Sequence, residues 1–328
     1  MSAAILVTGG AGYIGSHTCK ALAGAGFLPV TLDNLSAGHR WAVRWGPLVK
    51  GDLADRALVE WVIRKHDIRG AMHFAAWTYV GESMQDPGKY FRNNFCYALN
   101  LLQALVATRV DSIVFSSTCA TYGMPQQLPI REDEPQIPVN PYGESKLCVE
   151  RALRWFEQAH GLRYAALRYF NAAGADPDGQ LGEEHDPETH LIPLVMQAAL
   201  GLRDSVEVYG ADYDTPDGTA IRDYIHVCDL ADAHVRALDR LLKGGASLAV
   251  NLGSGRGHSV RDVIDAVARI SERPVPVRES ARRAGDPPIL VADPSLALGE
   301  LGWSTLQSDL AHIVASAWHW HSVGRQMT

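Results

Sequence analysis

Apolar and polar positions fall into alternating blocks along the first half of the chain. Short apolar runs lie at 4–7, 28–32, 70–74, 112–115 and 164–167 and read as strands. Amphipathic stretches between them, roughly 13–25, 55–65, 87–108 and 141–160, predict helices. Strands alternating with helices in this order predict an α/β fold, a doubly wound parallel sheet covered on both faces.

The rhythm breaks after Asn171. Residues 171–190 are rich in Gly, Asp, Pro, Glu and His and read as an exposed loop; 210–218 reads as another. Helical patterning resumes at 227–242, a further strand is expected at 247–252, and helices are expected near 260–270 and 306–321. Residues 1–171 therefore read as a nucleotide-binding domain, completed where the chain returns at about 224–252. The remainder of 172–328 reads mainly as a smaller substrate domain, with the ligand in the cleft between the two.

Composition narrows the function classes. The 328 residues are 47% hydrophobic and 20% charged, ample for a buried core, so disorder of the whole chain is excluded. The net charge of −7 and a pI near 6.0 argue against a nucleic-acid partner. No apolar run approaches the ~20 residues of a membrane span, and residues 1–9 do not read as a signal peptide. Five widely spaced cysteines without a CxxC pair predict no disulfide framework, no metal site and a reducing, cytoplasmic setting.

Three motifs carry chemistry. Gly9, Gly12 and Gly15 lie between the first strand and the first helix. Such a turn lets backbone approach a pyrophosphate, which rests on the helix N-terminus. Asp33 closes the second apolar run 24 residues beyond Gly9. A carboxylate there accepts hydrogen bonds from ribose hydroxyls and repels a 2′-phosphate, which favours NAD over NADP. Asp52, after a short run at 48–50, is placed to hold the adenine amino group. Tyr142 and Lys146 are four residues apart on one helix, with Pro141 opening it. A free tyrosine, with a pKa of about 10, is a poor base. A nearby ammonium and a cofactor cation favour the phenolate, which can take a proton from a sugar hydroxyl. Ser116 and Thr118 end the strand before that helix, where their hydroxyls can polarise the reacting oxygen. Cys119 has no histidine paired to it by any motif and reads as a small buried residue. Trp318-His319-Trp320-His321 lacks metal-ligand spacing on one helical face.

Beyond these motifs the sequence resembles the extended short-chain dehydrogenase/reductase family, and within it the enzymes that invert C4 of UDP-sugars. The residues concerned are Gly9–His17, Asp33-Asn34-Leu35, His73-Phe74-Ala75-Ala76, Val80-Gly81-Glu82-Ser83, Asn93-Asn94 and Tyr142–Lys146. They continue with Arg168-Tyr169-Phe170-Asn171, Asp212-Tyr213, Arg222–Val227, Asn251-Leu252-Gly253 and Gly285-Asp286. The resemblance implies a Rossmann-like sheet with a smaller C-terminal substrate domain, a tightly held NAD and an isomerase interconverting UDP-galactose and UDP-glucose. Tyr142 would take the proton of the sugar 4-hydroxyl while hydride passes to NAD. The 4-keto sugar would turn over and accept the hydride on its other face. Lys146 would hold the nicotinamide ribose, with Ser116 and Thr118 beside the sugar. Gly9, Gly12, Tyr13, Ile14, Gly15, Asp33, Asn34, Asp52, Leu53, Phe74, Ala75, Ala76, Asn93 and Phe170 would line the NAD site with Tyr142 and Lys146. Asn171, His190, Leu191, Tyr209, Arg222, Arg283 and Asp286 would bind the UDP portion or the sugar, together with Thr118 and Tyr142. Arginine suits diphosphate through its forked donors.

The sequence departs from the family pattern in two places. Thr78 stands where a lysine is common in the NAD loop, and His190 stands where an asparagine is common. By the same resemblance, Leu290 would occupy the position that limits sugar size in the family. The alternative within the family is the same reaction on a UDP-pentose or UDP-N-acetyl sugar. A 4,6-dehydratase would need acidic residues after Thr118, where Cys119-Ala120-Thr121 stand. A non-catalytic NAD sensor would not need Tyr142 and Lys146. The helix over 141–160 carries two apolar stripes, Val149/Leu153/Phe156 and Cys148/Ala152/Trp155. One is expected on the sheet and the other against a second subunit, as a homodimer.

Overall fold

The computed structural model describes residues 2–283 and 286–323; Gly285 of the Gly285-Asp286 string lies outside the described residues. The chain opens with β1 (Ala4–Thr8), α1 (Tyr13–Gly24), β2 (Leu28–Asp33), β3 (Leu48–Lys50), α2 (Arg56–Lys65) and β4 (Ile68–His73). Then come α3 (Val80–Gln85), α4 (Pro87–Tyr90), α5 (Tyr97–Thr108), β5 (Ser112–Thr118), α6 (Pro141–His160) and β6 (Arg163–Tyr169). The second half has β7 (Asn171–Ala173), α7 (Leu191–Ala199), β8 (Val206–Tyr209), β9 (Ile221–His226), α8 (Val227–Leu242) and β10 (Leu248–Leu252). It ends with β11 (Gly257–Ser259), α9 (Val260–Ser271), β12 (Val277–Ser280), β13 (Ile289–Leu290), α10 (Ser295–Leu301) and α11 (Leu310–Ser322).

Seven parallel strands form the large sheet in the order β10-β6-β5-β4-β1-β2-β3. The order reverses at β1, which lies between β2 and β4. A crevice forms beyond the C-terminal ends of the strands at such a switch point. The sheet interior is apolar on both faces, as a parallel sheet under helices requires. Leu6, Val30 and Ile113 pack with Val59, Leu101 and Leu153 from α2, α5 and α6. Ile5, Val7 and Val114 pack with Leu22, Leu230 and Leu301 from α1, α8 and α10. β10 joins the edge at β6 from far along the chain, in register from Leu248 opposite Ala165 to Leu252 opposite Tyr169.

A second unit is built on β9, which pairs with β7, β11 and β13, and on the β8–β12 pair. Its core comes from α7, α9 and α11, with Val195, Val267 and Ile313 fully buried. A capping box at Ser259 and Asp262 starts α9. Among the described residues no helix is long and apolar enough to cross a membrane, and all five cysteines are free.

Three local expectations need correction. Residues 171–190 are not an exposed loop: β7 opens the segment, and Ala173–Asp176 and Leu181–Glu183 are buried. Their polar groups are paired, as with Asp176, which takes the Lys20 ammonium at 2.6 Å, so hydrophilic composition did not force exposure. The helix over 87–108 is interrupted by a π-helical turn at Phe91–Cys96. The last helix starts at Leu310 rather than near 306, because the Asp309 side chain accepts the Ala311 and His312 amides as its cap.

Candidate active site

The glycine turn sits at the switch point. Gly9 has φ +74°, and a Cβ there would lie 2.5 Å from the Ala75 nitrogen. A Cβ on Gly15 would lie 2.2 Å from the Gly9 carbonyl oxygen. Both glycines are thus demanded by the protein's own packing. Gly12 is different: its φ is an ordinary −82°, and a Cβ would meet only Gly9 O at 3.4 Å. Nothing in the protein requires glycine there, so the bare backbone suits a group from outside. Gly12 also starts α1, whose N-terminus has no side-chain cap. Open amide donors and the positive end of the helix dipole suit a pyrophosphate.

The surrounding residues fit a dinucleotide. Asp33 accepts the Ala11 amide at 3.0 Å on one oxygen and the Leu35 amide at 2.8 Å on the other. Each oxygen keeps a lone pair for a ribose hydroxyl. Asn34 donates to Asp52 at 2.8 Å, and Asp52 accepts the Ala54 amide at 2.8 Å, which fixes the Asp52 carboxylate. Leu53 is buried, and Ile14, Ala75 and Ala76 are half-buried. Phe74 packs its ring 4.8 Å from that of His234, and Phe74 and Ala75 both donate amides to the Thr8 carbonyl. Tyr13 donates its hydroxyl to the Gly174 carbonyl at 2.7 Å, which ties the turn to the 174–190 segment. Asn93 donates to Asn94 at 3.0 Å. Asn94 in turn clamps both backbone groups of Trp77 and bonds Ser145 of α6. Tyr79, beside Thr78, donates to the Pro187 carbonyl at 2.9 Å.

The side chains expected to react meet at the C-terminal end of β5. Asn140 caps α6, Pro141 follows, and the helix presents Tyr142 and Lys146 on one side. Lys146 is buried and donates to the Ser116 carbonyl at 2.8 Å, with its ammonium 5.0 Å from the Phe115 ring centre. Burial pushes its pKa down to about 7. Burial pushes the Tyr142 phenol up to about 12, and hydrogen bonding with Thr118 works the other way. Thr118 also accepts the Ala120 amide at 3.2 Å. The Ser116 hydroxyl is paired with the Tyr169 hydroxyl from β6.

The other expected substrate residues lie on the second unit. Leu290 lies opposite Arg222 in the β13–β9 register and packs against the Cys119, Tyr122 and Phe170 cluster. Arg222 is ion-paired with Asp286. Arg283 stacks over the Tyr209 ring at 3.9 Å. Asn171 opens β7 opposite Tyr224, and Leu191 opens α7. His190 is held by Glu183 and Glu188, each 2.9 Å away. Cys119 is buried and its thiol is pushed up to about 12 by that burial, consistent with a packing role.

Sequence reasoning missed Tyr169 as the partner of Ser116, and Asn94 as the clamp on the 75–79 loop. It also passed over Glu183, His185 and Glu188, whose side chains converge with His190. The Glu-x-His-x-x-Glu-x-His spacing was the available signal, obscured by reading the segment as solvated.

The chain has extensive likeness to known proteins. Residues 5–253 match the NAD dependent epimerase/dehydratase family. A UDP-glucose 4-epimerase of Rhizobium leguminosarum bv. trifolii is 53% identical over 322 residues, 98% of each chain. The crystal structure of UDP-glucose 4-epimerase from Brucella ovis in complex with NAD is 56% identical, with a TM-score of 0.95 over 97% of this chain and 98% of that one. The UDP-glucose 4-epimerase from Bifidobacterium longum, in complex with NAD+ and UDP, is 38% identical, with a TM-score of 0.92 over 97% of this chain and 98% of that one.

Proposed function

The chain belongs to the NAD dependent epimerase/dehydratase family, and on that footing we propose that it interconverts UDP-galactose and UDP-glucose by inverting C4. The observation that carries the reading is the meeting of Tyr142, Lys146 and Thr118 at the end of β5, with the bare backbone of Gly12 following β1 of the same parallel sheet. NAD, when bound, supplies the acceptor that takes the C4 hydride and returns it to the opposite face, and a positive ring that offsets the burial of Tyr142.

The remaining work falls to side chains. Asp33 and Asp52 hold the adenosine end, Gly12 and the start of α1 the pyrophosphate, and Lys146 the ribose beside the reacting ring. Tyr142 takes the proton of the 4-hydroxyl and later gives it back. Thr118 stabilises the phenolate by hydrogen bonding and orients the sugar oxygen. Arg222 and Arg283 face the diphosphate, the first released from Asp286 as phosphate replaces that carboxylate. Residues 1–171 with α8 and β10 serve as the cofactor half, and the second unit as the sugar-nucleotide half.

We also propose a homodimer. Val149 and Leu153 of α6 are buried in the sheet layer and Ala152 packs against the same core, whereas Trp155 is 68% exposed and Cys148 half-buried. Trp155 and Cys148 support the outward face expected for a second copy. The five free cysteines fit a reducing cytoplasm.

The test mixes purified protein with UDP-galactose, without added NAD, and follows the sugar by proton NMR. Appearance of UDP-glucose supports epimerisation with a retained cofactor. No conversion even with NAD added overturns the UDP-hexose assignment and directs the search to UDP-pentoses and UDP-N-acetyl sugars.

A further inference from the structure

The segment between β7 and α7 carries a side-chain cluster that the proposed reaction does not use as a whole. Glu183, His185, Glu188 and His190 place their ligand atoms within 4.8 Å of one another. His190 Nδ1 lies 2.9 Å from Glu183 Oε1 and 2.9 Å from Glu188 Oε1. His185 Nδ1 lies 3.4 Å from the same Glu183 oxygen and 3.5 Å from the other Glu188 oxygen. We propose that these four residues form a binding site for one divalent transition-metal ion of the zinc class, acting as a structural clamp.

The spacings suit the ion. A tetrahedral ion with ligands at about 2.0–2.1 Å separates neighbouring donor atoms by roughly 3.4 Å. With Glu188 Oε2 as that residue's donor atom, since Oε1 already accepts two amides, Glu183 Oε1 lies 2.9 and 3.4 Å from the two imidazole nitrogens and Glu188 Oε2 lies 3.5 Å from His185 Nδ1. Hydrogen bonding explains His190 but leaves His185 over: its Nδ1 is buried between two carboxylates yet hydrogen-bonds to neither. A ring nitrogen facing the middle of a ligand set, rather than any single oxygen, has this geometry.

The donor set selects the class. Two imidazoles and two carboxylates favour zinc or cobalt over magnesium or calcium, which take oxygen ligands. The support is built in as well. The Thr189 and His190 amides both donate to Glu188 Oε1 at 2.8 Å and fix that carboxylate. Both glutamate side chains are 5% exposed. Flanking carbonyls are held from several elements: Glu183 by the Trp320 indole, Glu184 by His39 and Pro187 by Tyr79. Four protein ligands close the coordination sphere, which marks a structural rather than a catalytic ion. Its effect is to fix the segment that delivers Leu191 and α7.

The test strips purified protein with a chelator and titrates it with zinc chloride by calorimetry. Expected is one zinc per chain with sub-micromolar affinity, and an intense tetrahedral visible spectrum with cobalt. His185→Gln and Glu188→Gln should each weaken binding by more than about tenfold. Zinc should raise the melting temperature of the parent protein and not of the double variant. Cobalt binding to the unaltered chain gives a readout that does not depend on a variant folding. Absence of saturable zinc and cobalt binding overturns the proposal, leaving an ion-pair network alone. Equal binding by the parent and the folded double variant overturns it too, since the ion then sits elsewhere.

Discussion

Tyr142 and Gly12 test the site one residue at a time. Tyr142→Phe removes the proposed proton acceptor while leaving the cofactor cradle, so turnover should fall by about 100-fold or more with NAD retained. Near-full turnover in that variant would remove Tyr142 from the chemistry. At the turn, Gly9→Ala forces a Cβ into the Ala75 backbone at positive φ and should unfold at lower denaturant. Gly12→Ser adds a Cβ that meets only Gly9 O at 3.4 Å and is a favourable helix cap, so its stability should change little while NAD affinity drops by at least about tenfold. Parallel denaturation and fluorescence titration of the two variants separate packing from binding. These residues were legible because each motif is local: a turn and a single helical face. The Glu183–His190 cluster was harder to read, since burial of its charges depends on Trp320, Tyr79 and His39, which no local pattern links to it.

Helix α6 holds its register through a buried ion pair. Arg168 of β6 meets Glu150 in a two-pronged contact, with 3.0 and 2.7 Å bonds and side chains 3% and 2% exposed. Ser117 of β5 donates to the same carboxylate, and Tyr122 accepts from the guanidinium at 2.9 Å. Glu150 lies two helical turns beyond Tyr142, so the pair sets where Tyr142 and Lys146 arrive. Glu150→Ala leaves the guanidinium buried without a counter-charge and should cost about 3–5 kcal/mol in urea denaturation. Glu150→Leu combined with Arg168→Met should recover much of that stability. A loss below about 1 kcal/mol for Glu150→Ala would show that the pair is not what fixes the helix. Sequence periodicity found α6 at its full length because Asn140, Pro141 and Gly161 punctuate it. It missed the π-helical turn at Phe91–Cys96 because no proline or glycine interrupts that stretch. The wide turn nevertheless carries Asn93 and Asn94, of which Asn94 holds both backbone groups of Trp77.

At the scale of the molecule, buried neutral histidines set the acid limit. Burial pushes His73 down to about 3, helped by the Lys146 charge, and His234 down to about 4. Both ordinarily titrate near 6.5, so below that pH the unfolded chain takes protons that the fold refuses. Their stabilising effect is complete above about pH 6.5 and is lost as pH falls through 4 toward 3. Urea midpoints should therefore decline from about pH 7 to pH 5, and less steeply in His234→Gln; parallel slopes would exclude this origin. Sedimentation tests the assembly: a mass near twice 35.7 kDa is expected, and a monomer mass at micromolar concentration would remove the dimer. The α/β class was legible from alternation alone. Sheet neighbours were not, because a return strand carries no mark of which edge it joins.

That return strand bears on how the protein is made. β10 covers the edge of β6, but its first residue is translated 79 positions after β6 ends. At 5–20 residues per second the ribosome needs roughly 4–16 s to cover that distance. Throughout that interval a nascent chain with its other six strands assembled would present an unpaired row of amides and carbonyls along β6. Slower decoding between codons 170 and 248 lengthens the exposure and raises the demand for chaperones. Synonymous changes confined to that stretch should therefore alter the soluble yield of a protein whose amino-acid sequence they leave untouched.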